Sequence, residues 1–259
     1  MTICLVFLLF FAAPAPAQTR DPELGQKVLG QAIQALGGQA YLNVRDRRAE
    51  GRAFQFSSRE ELSGMARIIN YEKFPDKYRQ EIGKDKEVVF VLNGEHGWEG
   101  TFRGVREMLP EEVEPIRLRR ELSVDHLLRF RFKKEEGLEI AHIGTDLVDG
   151  RTADLVEVVD AQNRVVTIAF DQSSHLPLRR EWERRNPKTN EREQNVEILS
   201  KYLRAKGSGA VLEPYYIHRE RNGIKVFESF LTEVTVSAKL PDSLFERPPG
   251  PEWHESRRR

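Results

Sequence analysis

The sequence predicts a mainly β protein of the α+β class, with one antiparallel sheet of about 10–11 strands, an N-terminal helix and a helical interruption near mid-chain. Segments of alternating apolar and polar residues follow one another through most of the chain, joined by short turns, which is typical of an antiparallel meander. A single helix with one apolar face precedes them, and such a helix needs a sheet to cover that face. The 259 residues suffice for one large β domain.

The helix is predicted to begin at Asp21-Pro22, where an N-cap residue precedes a proline at the first helical position. Apolar residues then recur at helical spacing from Leu24 to Leu36. Gly37-Gly38 ends the helix because glycine tolerates the left-handed cap conformation, and residues 39–44 are expected to add one more turn.

The predicted strands share an alternation of apolar and polar residues and are bounded by turn signals such as Asn93-Gly94 and Asp149-Gly150. They are Arg52–Phe56, Gly64–Phe74, Lys77–Ile82, Glu87–Leu92, Leu138–Val148, Thr152–Val159, Arg164–Phe170, Leu176–Glu183, Arg192–Arg204, Tyr215–Arg221 and Lys225–Val236. Residues 110–131 interrupt the series. Pro110-Glu111-Glu112 opens a helical stretch and Ser123 caps a second piece, which predicts one or two helices.

The two ends of the chain differ from the rest in composition. The first seventeen residues carry no charge, and their apolar run is too short for a membrane span, which predicts a signal peptide over residues 1–17, cleaved near Ala17, and a periplasmic location. A buried N-terminal strand is the alternative, but the run shows no alternation. Residues 18–248 are expected to form the domain and residues 249–259 a disordered tail. The sole cysteine, Cys4, lies inside the predicted signal peptide, so neither a disulfide nor a lipid anchor is expected in the mature chain.

Composition and motifs exclude several functions. Lys plus Arg and Asp plus Glu both total 41, so no nucleic-acid partner is expected. The six histidines do not stand at metal-ligand spacing, and neither a nucleophile elbow nor a phosphate-binding loop is present, so no enzyme, cofactor or metal site is expected. Two arginine-rich groups could meet phosphate head groups, with a solvated surface as the alternative; they are Arg117, Arg119 and Arg120, and Arg179, Arg180, Arg184 and Arg185.

Large apolar side chains at alternate strand positions are the candidate binding residues. They either pack as a closed core or line an apolar ligand cavity between the sheet and the helices. The candidates are Phe54, Phe56, Val88, Phe90, Leu92, Trp98, Val156 and Ile168.

Five motifs occur in an order that resembles the LolA/LolB-like superfamily, and more narrowly the bacterial periplasmic proteins of the outer membrane lipoprotein-sorting type. The resemblance covers roughly residues 21–248. The motifs are Leu36-Gly37-Gly38, NGEHGW (Asn93 to Trp98), DGR (Asp149 to Arg151), FDQSSHLPLRRE (Phe170 to Glu181) and KLPDSLFERP (Lys239 to Pro248).

The resemblance implies an incomplete β-barrel, in which a strongly curved sheet wraps over an N-terminal helix and a mid-chain helical lid. It also implies a concavity that receives acyl chains. The expected function is therefore a non-enzymatic, monomeric carrier of a lipid or a lipidated protein. The alternative is an envelope interaction or sensor module with a filled core, which recognises a protein partner such as an envelope membrane protein. The carriers LolA and LolB are shorter than this chain, and no site residue is transferred from them.

Overall fold

In the computed structural model, which describes residues 20–186 and 189–253, thirteen strands form one antiparallel sheet. In chain order they are β1 (Asp46–Phe56), β2 (Leu62–Lys73), β3 (Lys77–Ile82), β4 (Val88–Asn93), β5 (His96–Thr101), β6 (Gly104–Glu107), β7 (Glu139–Val148), β8 (Arg151–Val159), β9 (Val165–Asp171), β10 (Pro177–Arg185), β11 (Arg192–Arg204), β12 (Leu212–Arg221) and β13 (Ile224–Val236).

The strand order places the two ends of the meander in the middle of the sheet. β1 pairs with both β2 and β13, and the full order is β6-β5-β4-β3-β2-β1-β13-β12-β11-β10-β9-β8-β7. β6 and β7 are therefore the two edges, and in the described part of the chain they do not pair with each other. The sheet is an open barrel, which confirms the predicted fold class.

The N-terminal helix α1 (Pro22–Leu36) has the predicted ends. Asp21 Oδ1 accepts a hydrogen bond from Leu24 N at 2.9 Å, and Gly37 adopts φ 128° at the C-terminal end. A second short helix, α2 (Gly38–Leu42), follows directly. α1 packs its apolar face on β7 and β8. Gly25 allows this approach, because a Cβ there would lie 2.8 Å from His142 N.

Residues 110–131, called the connecting segment below, join the two edge strands. The segment contains α3 (Pro110–Glu121), α4 (Val124–His126) and a π-helical turn (Leu127–Arg131). Ser123 caps α4 by accepting a hydrogen bond from His126 N at 3.2 Å. The prediction of one or two helices within residues 110–131 is confirmed.

The structure has more strands than the 10–11 predicted, because residues 96–107 form β5 and β6. These strands lack the usual sequence pattern: β5 carries Gly97 and Gly100, and β6 has only four residues. Packing explains one of these glycines. A Cβ on Gly97 would lie 2.7 Å from Val113 Cγ2, so α3 needs a strand without a side chain at that position.

The main apolar core lies between α1, the connecting segment and the face of the sheet that they cover, called the inner face below. Leu29, Leu127, Val156 and Ile168 are fully buried there. A smaller cluster lies on the outer face, where a 3-10 helix (Asp242–Phe245) brings Phe245 against β4.

Both edge strands are covered over part of their length. Val105 of β6 accepts a hydrogen bond from Trp253 N at 2.9 Å, and its own N–H donates to Pro251 O at 2.8 Å. On β7, His142 exchanges two backbone hydrogen bonds with Asp21. Covering an edge blocks pairing with a further chain at that point. The predicted signal peptide and residues 254–259 of the predicted tail lie outside the described residues. No helix within residues 20–186 and 189–253 is both long and apolar enough to cross a bilayer.

Candidate functional site

The candidate site is a cavity of about 160 Å³ between the inner face of the central strands and the connecting segment. One part of its wall is apolar and the rest is charged or polar. The apolar part contains Leu36, Ala49, Leu199, Ile217, Leu231 and Val234, and the charged part contains Arg47, Glu72, Arg119, Arg120, Asp125, Arg180, Glu197, Glu213 and Arg219.

A group of ion pairs, called the central ion network below, ties the connecting segment to the sheet. Arg47 of β1 pairs with Asp125 of α4 at 2.9 Å and with Glu72 of β2 at 2.8 Å, and it also contacts Glu213 of β12. Arg120 of α3 pairs with the second oxygen of Glu72 at 2.8 Å. α3 is therefore held to β2 and α4 to β1, and Arg47 links both to β12 through Glu213.

Arg129 completes the central ion network from the π-helical turn. Its side chain is fully buried, and it pairs with Asp125 at 3.1 Å. The guanidinium carbon lies 4.0 Å from the centre of the Tyr41 ring and 4.9 Å from that of Phe74, which are cation–π distances. Tyr41 donates its hydroxyl hydrogen bond to Asp125 at 3.0 Å.

The two acids that share Arg47 have pKa values displaced in opposite directions. Burial would raise the pKa of Asp125, but the charges of Arg129 and Arg47 outweigh burial and lower that pKa to about 2. Burial raises the pKa of Glu213, and Arg47 offsets that effect only in part. Asp125 is therefore ionised at neutral pH and pairs with both Arg47 and Arg129.

A second charged group, called the arginine cluster below, lies beneath the C-terminal end of α3. Glu197 accepts hydrogen bonds from Arg180 Nε and Arg219 Nε, both at 2.7 Å, and the charges of the two arginines hold the pKa of Glu197 well below its usual range against the effect of burial. Arg180 also donates to the backbone oxygen of Arg119 at 2.8 Å, which joins β10 to the connecting segment. The side chain of Arg119 completes the cluster and lines the same cavity.

A second cavity of about 600 Å³ adjoins the first and shares Pro75, Arg120 and His126 with it. It is lined by Gly94 of the β4–β5 turn on one side and Gln162 of the β8–β9 turn on the other, with the connecting segment between them. This space therefore lies across the gap between the two halves of the open barrel. We call it the mouth.

All eight predicted binding residues are described by the structure, and none of them lines the 160 Å³ cavity. Val156 and Ile168 are fully buried in the main core. Phe90 and Leu92 pack with Met108 and Val113 beneath α3, where Leu92 also lines the mouth.

The remaining four predicted residues lie toward the outer face or the ends of strands. Trp98 packs against the outer-face cluster of Val89, Val91 and Phe245. Val88 is half-buried at the start of β4, paired with Ile82 and Thr101. Phe54 contacts Phe230 edge-on at 5.8 Å, and Lys225 lies 4.0 Å from the centre of the Phe56 ring. As ligand contacts, all eight stay predictions.

The charged wall of the cavity is what sequence reasoning missed. Alternation normally assigns charged side chains to the outer face of a half-buried sheet. Here Arg47 lines the cavity together with Ala49, and Glu197 together with Leu199, because residues two apart on a strand share a face. In the sequence, the charged wall could have been predicted from strands in which a charged residue and an apolar residue stand two positions apart. The arginine-rich group containing Arg119 and Arg120 does lie at the cavity, through the connecting segment.

Three solved structures share the architecture of this chain. A domain described as an outer membrane lipoprotein-sorting protein, from Vibrio parahaemolyticus, is 12% identical with a TM-score of 0.59, and the match covers 87% of this chain and 97% of that one. A DUF1329 family protein from Desulfovibrio piger is 13% identical with a TM-score of 0.59, covering 87% and 98%. A LolA superfamily protein from Nitrosomonas europaea is 13% identical with a TM-score of 0.52, covering 86% and 97%.

No protein-family model and no curated protein sequence matches the chain. The sheet, the connecting segment and the 160 Å³ cavity between them, called the chamber below, define an open-barrel protein with a small internal cavity. The structural matches identify the architecture as the LolA-like fold, which confirms the resemblance inferred from the motifs. At 12–13% identity they establish the fold alone.

Proposed function

We propose that this protein is a non-enzymatic carrier in the periplasm that shelters the acyl chain of a lipid or a lipidated protein inside the open barrel. The observation that carries the proposal is the 160 Å³ cavity, whose apolar wall lies beside a mouth between the two halves of the sheet. The LolA-like fold supports it, since one structural match is described as a lipoprotein-sorting domain.

The size of the cavity sets how a ligand would enter. A cavity of about 150 Å³ holds a benzene molecule in an engineered protein, so the chamber as it stands accommodates a ligand of that size. A longer acyl chain requires the connecting segment to shift, so that the chamber and the mouth at Arg120 and His126 join. Burial of each methylene contributes about 0.8 kcal/mol. A chain of about a dozen methylenes therefore contributes roughly 10 kcal/mol toward displacing the segment.

The periplasmic part of the proposal depends on the N-terminal sequence. An uncharged apolar run followed by Ala15-Pro16-Ala17 is typical of a cleaved export signal. Expression of the full chain with a C-terminal tag, followed by fractionation and N-terminal sequencing, tests this step. Cleavage near Ala17 and recovery from the periplasm are expected, and recovery of the uncleaved chain from the cytoplasm would refute it.

Lipid extraction and native mass spectrometry of the protein purified from the periplasm test the carrier function. A co-purifying lipid, or saturable binding of a fluorescent fatty acid, is expected. A protein that carries no lipid and does not bind the fluorescent probe would overturn the proposal.

A matched pair of variants links binding to the cavity. Leu199 lies in the cavity wall, whereas Leu147 is exposed on β7. Leu199→Trp fills the chamber and is expected to abolish fatty-acid binding, although overpacking lowers its stability by about 1–3 kcal/mol. Leu147→Trp is the control and is expected to bind as the wild type does. Equal binding by both variants would place the lipid elsewhere.

One observation favours the alternative, an envelope interaction or sensor module that recognises a protein partner. The central ion network places paired charges on the inner face, which a purely lipid-binding chamber does not require. Cross-linking in envelope extracts separates the two functions: a partner captured equally by wild type and Leu199→Trp, without any bound lipid, would support the module.

A further inference from the structure

We infer that the ligand of the cavity is an anionic amphiphile, whose carboxylate or phosphate head group binds between Arg119 and Arg219 while its tail lies along the apolar wall. The inference rests on the proposed lipid-binding function and names the chemical class of its ligand. Ester- and amide-linked acyl chains on a protein end in neutral groups, so it also favours a free lipid over a lipidated protein.

The arginine cluster carries an excess of positive charge that the central ion network does not. The central ion network matches three arginines, Arg47, Arg120 and Arg129, with three acids, Glu72, Asp125 and Glu213. The arginine cluster holds Arg119, Arg180 and Arg219 against Glu197 alone, which leaves two positive charges uncompensated. Arg180 is buried and Arg119 and Arg219 are half-buried, so water compensates their charges only in part. The cluster therefore has fewer acids than arginines, whereas the central ion network has equal numbers.

Several guanidinium donors of the arginine cluster have no partner within the described residues. Each carboxylate oxygen of Glu197 already accepts from one arginine, Arg180 or Arg219. Within residues 20–186 and 189–253, the Arg119 side chain has no hydrogen-bond or ion-pair partner, and Arg219 uses only its Nε–H. The guanidinium donors of both residues therefore remain for an anion, and such forks match carboxylate and phosphate oxygens.

The electrostatic environment of Arg119 agrees with this geometry. Burial, followed by the neighbouring charge of Arg219, lowers the pKa of Arg119 to about 9. An arginine in a protein nevertheless stays charged at neutral pH, so the lowered pKa reflects an unfavourable site for a lone cation. An anion bound between Arg119 and Arg219 would offset the repulsion between the two cations and give each of them a partner in place of the lost water.

Aromatic and aliphatic side chains lie beside the arginine cluster, where the tail of an amphiphile would bind. Trp182 lies 4.4 Å beneath the guanidinium of Arg180, and Phe227 lies 4.5 Å beneath that of Arg219. The apolar wall formed by Leu199, Ile217 and Leu231 lies in the same cavity as Arg219. A free inorganic anion gains no binding energy from an apolar wall. An amphiphile, in contrast, places its head group on the arginines and its first methylenes on these side chains.

A third cavity adjoins the arginine cluster and offers space for a large head group outside the chamber. A cavity of about 310 Å³ is lined by both Arg119 and Arg219, with Phe56 and Trp182 beside them. The cluster therefore lies between the chamber and this opening. A head group larger than a carboxylate can project there while the tail stays inside.

Calorimetric titration of the delipidated protein with four compounds tests the inference. They are dodecanoate, dodecyl phosphate, dodecanol and inorganic phosphate. The two anionic amphiphiles are expected to bind at least tenfold more tightly than dodecanol, and inorganic phosphate is expected to bind weakly. Arg119→Gln is expected to remove the tenfold preference without changing the affinity for dodecanol, and Arg119→Lys is expected to retain part of it.

Arg117→Gln is the matched control. Arg117 lies on the same helix as Arg119 but does not line the 160 Å³ cavity, and its half-exposed side chain pairs with Glu95 and Glu121. This variant is expected to bind all four compounds as the wild type does.

The possible failures are distinguishable. Equal affinity for dodecanoate and dodecanol, unchanged in Arg119→Gln, overturns the head-group site while lipid binding stands. Inorganic phosphate that binds as tightly as dodecyl phosphate shows a free-anion site and overturns the amphiphile. Failure of every compound to bind overturns the proposed function itself. Circular dichroism establishes that each variant is folded, and Arg219→Gln replaces Arg119→Gln if the latter is not.

Discussion

Asp125 offers a direct measure of how firmly the connecting segment is held to the sheet. Asp125→Asn keeps the shape of the side chain and removes the charge that Arg47 and Arg129 share. The pKa of Asp125 falls from an ordinary value of 3.8 to about 2 in the folded protein, which corresponds to about 2 kcal/mol of stability at neutral pH. Breaking an isolated buried pair costs about 3–5 kcal/mol. Here the loss is smaller, because Glu213 ionises more easily once its negative neighbour is gone.

The pH dependence follows from the sign of this displacement. Because the folded pKa of Asp125 lies below the unfolded pKa, its contribution is complete above about pH 4 and is lost as the pH falls toward about 2. Urea unfolding followed by circular dichroism is therefore expected to show a gap of about 2 kcal/mol between wild type and Asp125→Asn near pH 7, and little gap near pH 2.

The control is Asp146→Asn, which removes an exposed carboxylate that pairs with Arg179 at 2.6 Å. Exposed pairs add little to stability, so no measurable loss is expected. Two results would refute this prediction. One is equal free energies of unfolding for wild type and Asp125→Asn at neutral pH, and the other is a difference between them that stays the same at low pH.

Two further predictions concern packing. Gly51→Ala would place a Cβ 2.2 Å from Phe230 O and is expected to lower the free energy of unfolding by about 1–3 kcal/mol. At Gly30 of α1 a Cβ would meet nothing within 4 Å, so Gly30→Ala is expected to raise the free energy of unfolding by about 0.5–1 kcal/mol. Thermal unfolding of both variants checks this, and equal melting temperatures would contradict it. Phe90→Ala and Trp98→Ala are expected to lower stability by about 2 kcal/mol or more without changing fatty-acid affinity, since both side chains pack outside the chamber. A loss of affinity at unchanged stability would show that they contact the ligand.

The elements predicted well from sequence are those whose signals are local. Asp21, Pro22 and Gly37 mark the ends of α1 by cap chemistry alone. β3 and β11 have the predicted bounds because alternation and flanking turns agree there. β5 lacks such a pattern, since its glycine at position 97 reflects the approach of α3, which no local signal reveals.

The charged wall of the chamber depends on long-range contacts. Arg47 meets Asp125 and Glu213, which lie 78 and 166 residues away along the chain. Such a network becomes visible only when the register of the sheet is known. Sequence alternation therefore predicted the fold but not the charged wall of the cavity, because alternation counts apolar residues and cannot match distant charges.

The pairing of β1 with β13 has a mechanical consequence. Strands β1–β6 and β7–β13 are two consecutive halves of the chain, and among the described residues β1 with β13 is the single strand pair that joins them. That pair runs from Arg47 opposite Val236 to Gln55 opposite Phe227, with a bulge at Glu50 and Gly51. A change of twist between β1 and β13 would therefore move strands β1–β6 away from strands β7–β13 without breaking the other strand pairs. The connecting segment joins the two edge strands, β6 and β7, so its length limits how far the edges of the open barrel can separate.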